Sequence, residues 1–420
     1  MEKPALFASR REFVYFILIA AVMLAVHLGW HYAQYREFVA KPFFFTYANV
    51  LLSYPKQKQH RSYQVLKLRT DERLQLYTTT HRKKSLQGKR IRIEIFPDKR
   101  IGFWDFMGTF YAKSRIRQLS DMPNTLQTKL GNTVSAQHHN PMLQALYKAL
   151  FFADPVPKEL REKVALLGVS HLIALSGFHL GMLWFLLYEG LLMLYRPLQQ
   201  RFFPYRFALM DMGLVTLAVL GFYLYMTGMP PSLVRAYAMI TAGWIMLLLG
   251  VELVSFYFLA AVLTLLVVIF PALLASLGFW FSVAGVFYIF LLLHYTKEMP
   301  VWVTTLLVIP VGIFVLMLPV VHTVFPVTAT SQLLSPLLSL LFIPFYPAAM
   351  LLHLIGAGEL FDTALEQLLT WGTPATDHQL PLWAGVIYVL LSLAAIRYRY
   401  AFYLLCLLAA GYGVYIFVNM

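Results

Sequence analysis

Long runs of apolar residues recur along most of the chain. Most runs hold about 18 to 23 residues, enough for a helix to cross the ~30 Å hydrocarbon layer of a bilayer. This pattern predicts a polytopic α-helical membrane protein with about ten transmembrane helices. The apolar segments are residues 13–30, 166–195, 207–226, 233–250, 253–270, 272–293, 301–321, 333–355, 382–396 and 401–418.

The first apolar segment is predicted to be a retained anchor, residues 1–30. It begins with basic positions that include Arg10 and Arg11, and its apolar run is too long for the core of a cleaved signal peptide. Because basic flanks stay in the cytoplasm, the chain that follows is expected on the outer face.

Within a basic domain expected over residues 31–120, the apolar positions alternate with polar ones from about residue 61 to residue 119. In the stretch 90–96, isoleucine at every second position alternates with Arg or Glu, the pattern of a strand with one buried and one solvated face. Residues 63–70 and 74–80 alternate in the same way. These short strands predict a small OB-like β-barrel domain inserted after the first helix. A linker and an amphipathic helix are expected over residues 121–165.

Composition supports the membrane class and shows where the charge lies. The 420 residues are 59% apolar and only 13% charged, which excludes an ordinary soluble protein. Residues 31–165 hold 24 Lys and Arg against 10 Asp and Glu, which accounts for the whole formal charge of +14. A solvated surface, an anionic membrane surface and a polyanion such as nucleic acid are the alternatives.

The same basic domain contains the candidate DNA contacts. Aromatic side chains near its basic strand would either stack on bases or fill the barrel, and they are Phe103, Trp104, Phe106, Phe110 and Tyr111. The residues predicted to bind DNA phosphates are Arg82, Lys83, Lys84, Arg90 and Arg92.

Basic residues in short loops orient the later helices. Arg196, Arg201 and Arg206 fall in one loop and Lys297 in another, and both loops are expected in the cytoplasm. The same count of crossings places Arg397 and Arg399 outside, against the rule. One late segment is therefore expected to be re-entrant or not a span, and residues 356–381 predict an interfacial helix and loop.

One apolar segment carries polar groups in its middle. Residues 168–181 read GVSHLIALSGFHLG, and a Ser-Gly pair interrupts the run. A broken helix is tolerated at membrane depth only against protein or beside a water-filled cavity, so the segment is predicted to border a wet path. Close helix packing through Gly177 and Gly181 is the structural alternative. A metal site or a serine hydrolase would need a carboxylate that the segment lacks.

Arg235 lies early in another apolar segment, after a Gly-Met-Pro-Pro-Ser turn. A cation on a spanning helix snorkels to the interface, pairs or faces water. Snorkelling and a role on a polyanion path both stay open, and the positive end of that helix would favour an anion. The residues predicted to line the path are His171, Ser176, Gly177, His179, Ser232 and Arg235.

Several chemistries have no motif in the chain. It has no GxxxxGK[ST] phosphate-binding loop, so it supplies no ATPase of that kind. No nuclease motif, cofactor or metal site is predicted either. A channel or transporter is favoured over an enzyme.

Four sequence blocks resemble the ComEC-type competence proteins, the inner-membrane DNA channels of natural transformation. The first is HLIALSGFHLG within residues 168–181, the second PSLVRAYAM at 231–239 and the third PALLASLGFWFSVAGVF at 271–287. A looser fourth block is SQLLSPLLSLLFIPF at 331–345. With the anchor and the β domain, the resemblance covers almost the whole chain, and it makes residues 166–420 a competence-type helical membrane domain.

The resemblance implies passage of single-stranded DNA across the inner (cytoplasmic) membrane, with the β domain on the periplasmic or outer face. The partners it implies are single-stranded DNA, outer-face DNA-receptor proteins, a cytoplasmic ATP-driven DNA motor, membrane lipids and further copies of this chain. Many members of the family end in a metallo-β-lactamase-like domain that this sequence lacks, so a nuclease step is expected of another protein. The alternative functions are transport of a small solute and intramembrane hydrolysis.

Overall fold

The computed structural model describes residues 6–7, 9–58, 61–82, 84–121, 126–250 and 255–419. The chain divides into two compact units. One consists of Phe7–Thr125 and Ala261–Phe279, and the other of Met1–Leu6, Leu126–Ala260 and Trp280–Met420.

The first unit combines the predicted anchor with a β-sheet. Helix α1 begins after Ser9, whose hydroxyl accepts the backbone N–H of Glu12 and so caps the helix. The strands come next, with one short helix before the last two. The elements are α1 (Arg10–Ala40), β1 (Phe44–Lys58), β2 (Arg61–Thr70), β3 (Gln75–Thr80), β4 (Lys89–Phe96), α2 (Phe103–Met107), β5 (Thr109–Tyr111) and β6 (Lys113–Asp121).

The six strands form one sheet in the order β5-β3-β2-β1-β4-β6. The long strand β1 pairs antiparallel with both β2 and β4, and a bulge between Val50 and Leu52 interrupts its pairing with β2. Strand β5 runs parallel to β3, whereas β6 runs antiparallel to β4. Only Ala112 separates β5 from β6, and its N–H donates to the carbonyl of Tyr77 in β3.

The interior of the sheet is the alternating apolar face that the sequence predicts. Fully buried aliphatic side chains from β2, β3 and β4 meet there, and they are Leu66, Leu68, Leu76, Ile91, Ile93 and Ile95. Each contributes about 1.5 to 3 kcal/mol by its burial. The rings of Phe38 from α1 and of Phe106 and Phe110 pack against one another at this core. The predicted strands and their inner face are therefore confirmed.

The second unit is built from helices. Residues 126–166 contain three of them, where the sequence predicts a linker followed by one amphipathic helix. The helices up to residue 269 are α3 (Leu126–Ser135), α4 (Pro141–Phe152), α5 (Lys158–Leu166), α6 (Ser170–Ile173), α7 (Gly177–Phe202), α8 (Ala208–Met226), α9 (Pro231–Leu248) and α10 (Phe256–Ile269), of which α10 begins in this unit.

The remaining elements follow after residue 276. A π-helical turn at Thr304–Val308 joins α12 to α13, so that Val301–His322 is one continuous helix. The elements are α11 (Leu277–Tyr295), α12 (Val301–Val303), α13 (Ile309–His322), β7 (Val327–Thr328), α14 (Ser335–Leu354), α15 (Asp362–Leu368), β8 (Thr376–Asp377), α16 (Leu382–Ala394) and α17 (Arg399–Val418).

Seven helices in the described part of the chain are long and apolar enough to cross a membrane. They are Arg10–Ala40, Gly177–Phe202, Ala208–Met226, Leu277–Tyr295, Val301–His322, Thr330–Leu354 and Arg399–Val418. Three shorter apolar helices accompany them, Ser232–Leu248, Phe256–Ile269 and Leu382–Ala394. The protein is thus mostly helical, with a β-sheet domain near its N-terminus.

The chain after α14 turns back toward the start of that helix. Strand β8 pairs antiparallel with β7, and the hydroxyl of Thr373 lies 3.2 Å from that of Ser331. The backbone N–H of Leu380 donates to the carbonyl of His322, at the end of α13. Residues 356–381 form short helices and loop, as the sequence predicts.

Candidate functional site

The apolar segment that the sequence predicts to be broken at Ser176 and Gly177 is broken in the structure. Helix α6 ends at Ile173, and the backbone is extended at Ala174 (φ −70°, ψ 117°) and at Ser176 (φ −137°, ψ 179°). Helix α7 then begins at Gly177. Extended backbone leaves peptide groups outside the helical hydrogen-bond ladder, which a membrane protein tolerates only beside protein or water.

The break has an exposed side. His171, Ala174, Gly177 and Phe178 are all exposed, whereas Leu172, Ile173 and Leu175 are buried. The Nε2 atom of His171 lies 3.3 Å from the hydroxyl oxygen of Ser339 in α14. Two of the predicted path residues, His171 and Gly177, therefore share the exposed side of the break.

Ser176 and His179 together cap the start of α7. Nδ1 of His179 accepts the backbone N–H of Ser176 at 3.3 Å and lies 3.1 Å from the Ser176 hydroxyl. Because Nδ1 accepts, the ring proton of the neutral imidazole sits on Nε2. This is the geometry of a helix cap, in which the third residue of the helix satisfies the cap residue.

His179 itself lies on the buried side of α7, with only 1% of its surface exposed. Its ring meets Tyr346 edge-on, with centroids 4.7 Å apart, and Phe342 at 5.2 Å. Both rings belong to α14. His179 therefore packs the start of α7 against the aromatic rings of α14.

Arg235 lies one turn into α9, next to the break. Helix α9 begins at Pro231, Ser232 is half-buried, and Arg235 is 8% exposed. A Cβ atom at Gly177 would lie 3.4 Å from the Cβ of Ala236, so the first turns of α7 and α9 pack directly together. The residue is therefore a buried cation and does not extend to the surface as a snorkelling side chain does.

Of the two α7 glycines predicted to allow close helix packing, only one does so in the structure. Gly177 supplies the close approach to Ala236, whereas a Cβ at Gly181 would meet no described atom within 4 Å. Close packing and the break therefore occur at the same glycine.

The predicted phosphate-binding residues of the β domain differ in their surroundings. Arg82, Lys84 and Arg92 are exposed. Arg90 instead donates to the carboxylate of Asp71 at 2.6 Å, and its guanidinium lies 5.4 Å from the centre of the Tyr47 ring. Lys83 lies outside the described residues.

Exposed aromatic side chains occupy alternate positions just before and within the start of β1, and the sequence reasoning missed them. Phe43, Phe45 and Tyr47 are 48%, 46% and 44% exposed, and Tyr47 stands opposite Arg92 in the ladder with β4. The signal was available, because the three residues occupy alternate positions. Of the aromatic residues that the sequence singles out, Phe106 and Phe110 are buried, whereas Trp104 and Tyr111 are exposed.

A second polar cluster joins residues that are far apart in the chain. Nδ1 of His138 lies 2.9 Å from both carboxylate oxygens of Asp362, and its Nε2 lies 2.8 Å from Nε2 of His353. Nδ1 of His353 lies 2.6 Å from the carbonyl oxygen of Ala349. Tyr147 stacks on His138 at 4.3 Å, and burial raises the pKa of its phenol.

Within the described residues, no group of three or more His, Cys, Asp or Glu side chains is arranged to hold a metal ion.

The apolar helices, the interrupted segment and the buried arginine define a multi-pass membrane protein. The family model described as Competence protein matches residues 152–418, and the chain belongs to the Competence protein family. This membership suggests a role in DNA uptake. No curated protein and no solved structure matches the chain.

Proposed function

We propose that this protein passes single-stranded DNA across the inner (cytoplasmic) membrane during natural transformation, along a wet path between helices. The observation that carries the proposal is the break between α6 and α7, which packs against the turn of α9 that holds a buried arginine. Both elements lie within the residues that match the Competence protein family.

The physical argument starts from the cost of moving a polyanion through hydrocarbon. A phosphate chain cannot cross the apolar layer unless water and cations accompany it. Arg235 supplies a cation inside the bundle, and the first turn of α9, with Ser232, directs the positive end of its helix dipole to the same place. His171 and Gly177 border the exposed side of the break, and the cap formed by Ser176 and His179 holds the break open.

We assign the β domain an OB-like architecture and a role in gathering the strand on the outer face. Strand order supports this: β1 lies between β2 and β4, and the nearly continuous segment β5–β6 pairs with β3 and then with β4. Arg82, Lys83, Lys84, Arg90 and Arg92 would contact phosphates, with Arg90 weakened by Asp71. Phe43, Phe45 and Tyr47 would stack on bases.

The helix count fits about ten membrane segments, seven long helices and three shorter ones. The pairing of β7 with β8 supports a topology in which the end of α13 and the start of α16 lie on one side of the membrane. Helix α14 would then be the re-entrant or returning segment, and nine segments would cross singly. In this topology Arg196, Lys297 and Arg397 all face the cytoplasm, as the distribution of basic residues favours.

The proposed partners would supply steps for which the chain has no motif of its own. No phosphate-binding ATPase loop is present in the sequence, so a cytoplasmic ATP-driven motor would pull the strand and outer-face receptors would deliver it.

The test replaces Arg235 in a transformable host whose own copy of this gene is deleted. With Arg235→Ala, fluorescent DNA should accumulate outside the inner membrane and cytoplasmic DNA should fall by on the order of tenfold, because the cation that concentrates phosphate is gone. Arg235→Lys should restore part of the uptake. Arg397→Ala, an exposed arginine in a distant loop, is the matched control and should leave uptake unchanged.

Immunoblots of the membrane fraction should show equal amounts of each variant. An unchanged amount of cytoplasmic DNA with Arg235→Ala would contradict the proposed path and favour transport of a small solute.

A further inference from the structure

A basic and aromatic patch lies where α7 ends and α8 begins, away from the proposed DNA path. Between residues 190 and 210 the sequence holds Arg196, Arg201 and Arg206 and no acidic residue. Exposed apolar side chains surround these arginines, namely Leu198, Phe202, Phe203, Tyr205 and Phe207. Since α7 and α8 are both candidate spans, their connection lies at a membrane surface, where aromatic rings and cations concentrate.

The carboxylate of Asp211, at the start of α8, is already paired with an arginine of the patch. Asp211 accepts two hydrogen bonds from Arg206, each 2.9 Å, and a third from the hydroxyl of Tyr195 at 2.6 Å. Its side chain is only 9% exposed, whereas that of Arg206 is 51% exposed. The charge of Asp211 is therefore largely compensated by Arg206, and the exposed Arg196 and Arg201 leave the patch positively charged.

A cavity of about 390 Å³ opens between the same two helix ends. Tyr195, Arg206 and Asp211 supply its polar lining, and Phe203, Met212, Leu214 and Val215 supply its apolar lining. This volume lies in the range of ordinary ligand sites. The cavity thus combines a paired arginine at one end with an apolar wall on α8, a candidate membrane span.

We propose that this cavity binds an anionic glycerophospholipid. Its phosphate would lie on Arg206, with the exposed Arg201 in the last turn of α7 adding positive charge beside it, and the start of one acyl chain would lie against Leu214 and Val215. A nucleic acid strand would match the arginines but leave the apolar wall uncovered, and free phosphate would do the same. The proposal concerns a lipid site at the membrane surface and does not depend on the DNA path.

The experiment uses the full chain, purified in a neutral detergent, and measures retained lipid by native mass spectrometry. Phosphatidylglycerol is the probe, and phosphatidylcholine is the neutral reference. Arg201→Gln should weaken phosphatidylglycerol binding about fivefold, which is the ~1 kcal/mol that one basic residue contributes near an anionic lipid. Arg196→Gln combined with Arg201→Gln should weaken it further. Both changes leave the Arg206–Asp211 pair intact.

Arg397→Gln removes one exposed arginine from a different loop and is the matched control, with binding expected within twofold of the original. Equal retention of phosphatidylglycerol by the original chain and both arginine variants would overturn the proposal. So would displacement of the lipid by millimolar inorganic phosphate, which indicates a free-phosphate site, or by an oligonucleotide, which indicates a nucleic-acid site. Resistance to both competitors supports the lipid.

Discussion

At the scale of single residues, hydrogen-bond geometry restricts where protons lie in the His138 cluster. Nδ1 of His353 faces a carbonyl oxygen and therefore donates to it. Nδ1 of His138 donates to Asp362 when that carboxylate is ionised, and the contact between the two Nε2 atoms then needs one proton more. In that state the two rings carry one positive charge, which Asp362 balances in a largely buried site.

Loss of that balancing charge should destabilise the protein. Asp362→Asn leaves the shared imidazolium without its anion, and we expect a loss of about 2 kcal/mol, below the value for a fully buried pair because the Asp362 side chain is 18% exposed. The apparent Tm in detergent should then fall by a few degrees. Asp377→Asn, at an exposed position in the same half of the chain, is the control. Equal Tm values for both variants would contradict the proton count.

The polar cluster around His138 depends on contacts that no local sequence pattern predicts. His138 meets His353 and Asp362 across 215 and 224 residues, and no local pattern carries such a contact. Conversely, the break at Ser176 and the buried face of Ile91, Ile93 and Ile95 follow from local chemistry, and both are confirmed. Whether an aromatic ring of α2 is buried or exposed depends on how that helix packs against the sheet, which is why Phe106 and Trp104 could not be told apart from the sequence.

At the scale of elements, strand β1 has one buried face and one exposed face, because successive side chains point to opposite sides of a strand. Its inward residues Ala48 and Val50 are buried in the core, while Phe45 and Tyr47 face outward. The antiparallel register places Tyr47 beside Arg92 of β4. An exposed aromatic row beside a basic row is the arrangement that binds single strands without sequence preference.

Single-stranded DNA binding by the full chain should therefore depend on Phe45. Phe45→Ala should weaken binding of a fluorescent oligothymidine about tenfold, since one stacked base is lost, with no change in the salt dependence. Arg92→Gln should instead lower the slope of log affinity against log salt by roughly one phosphate contact. Fluorescence anisotropy at several salt concentrations measures both.

Tyr54→Ala removes an exposed ring from the far end of the same strand and should have little effect. If Tyr54→Ala weakens binding as much as Phe45→Ala does, the exposed rings of Phe45 and Tyr47 are not a specific binding surface for DNA bases.

At the scale of the whole molecule, one short pair of strands bears on the proposed orientation of the last helices. A simple count from the anchor places Arg397 and Arg399 outside. The β7–β8 pair brings residues 327–328 and 376–377 together, and we propose that the chain between them makes an even number of crossings. The loop with Arg397 would then face the cytoplasm, on the same side as the end of α7 that holds Arg201.

Cysteine labelling tests this orientation directly, because Cys406 is the only cysteine of the chain. In a Cys406→Ser background, Val327→Cys and Asp377→Cys should react with a membrane-impermeant maleimide added to spheroplasts. Arg397→Cys should react only after lysis, and Arg201→Cys is the cytoplasmic reference. Labelling of Val327→Cys and Asp377→Cys from opposite sides would be incompatible with the strand pair. Labelling of Arg397→Cys in intact spheroplasts would instead support a topology in which every apolar segment crosses the membrane once, α14 included.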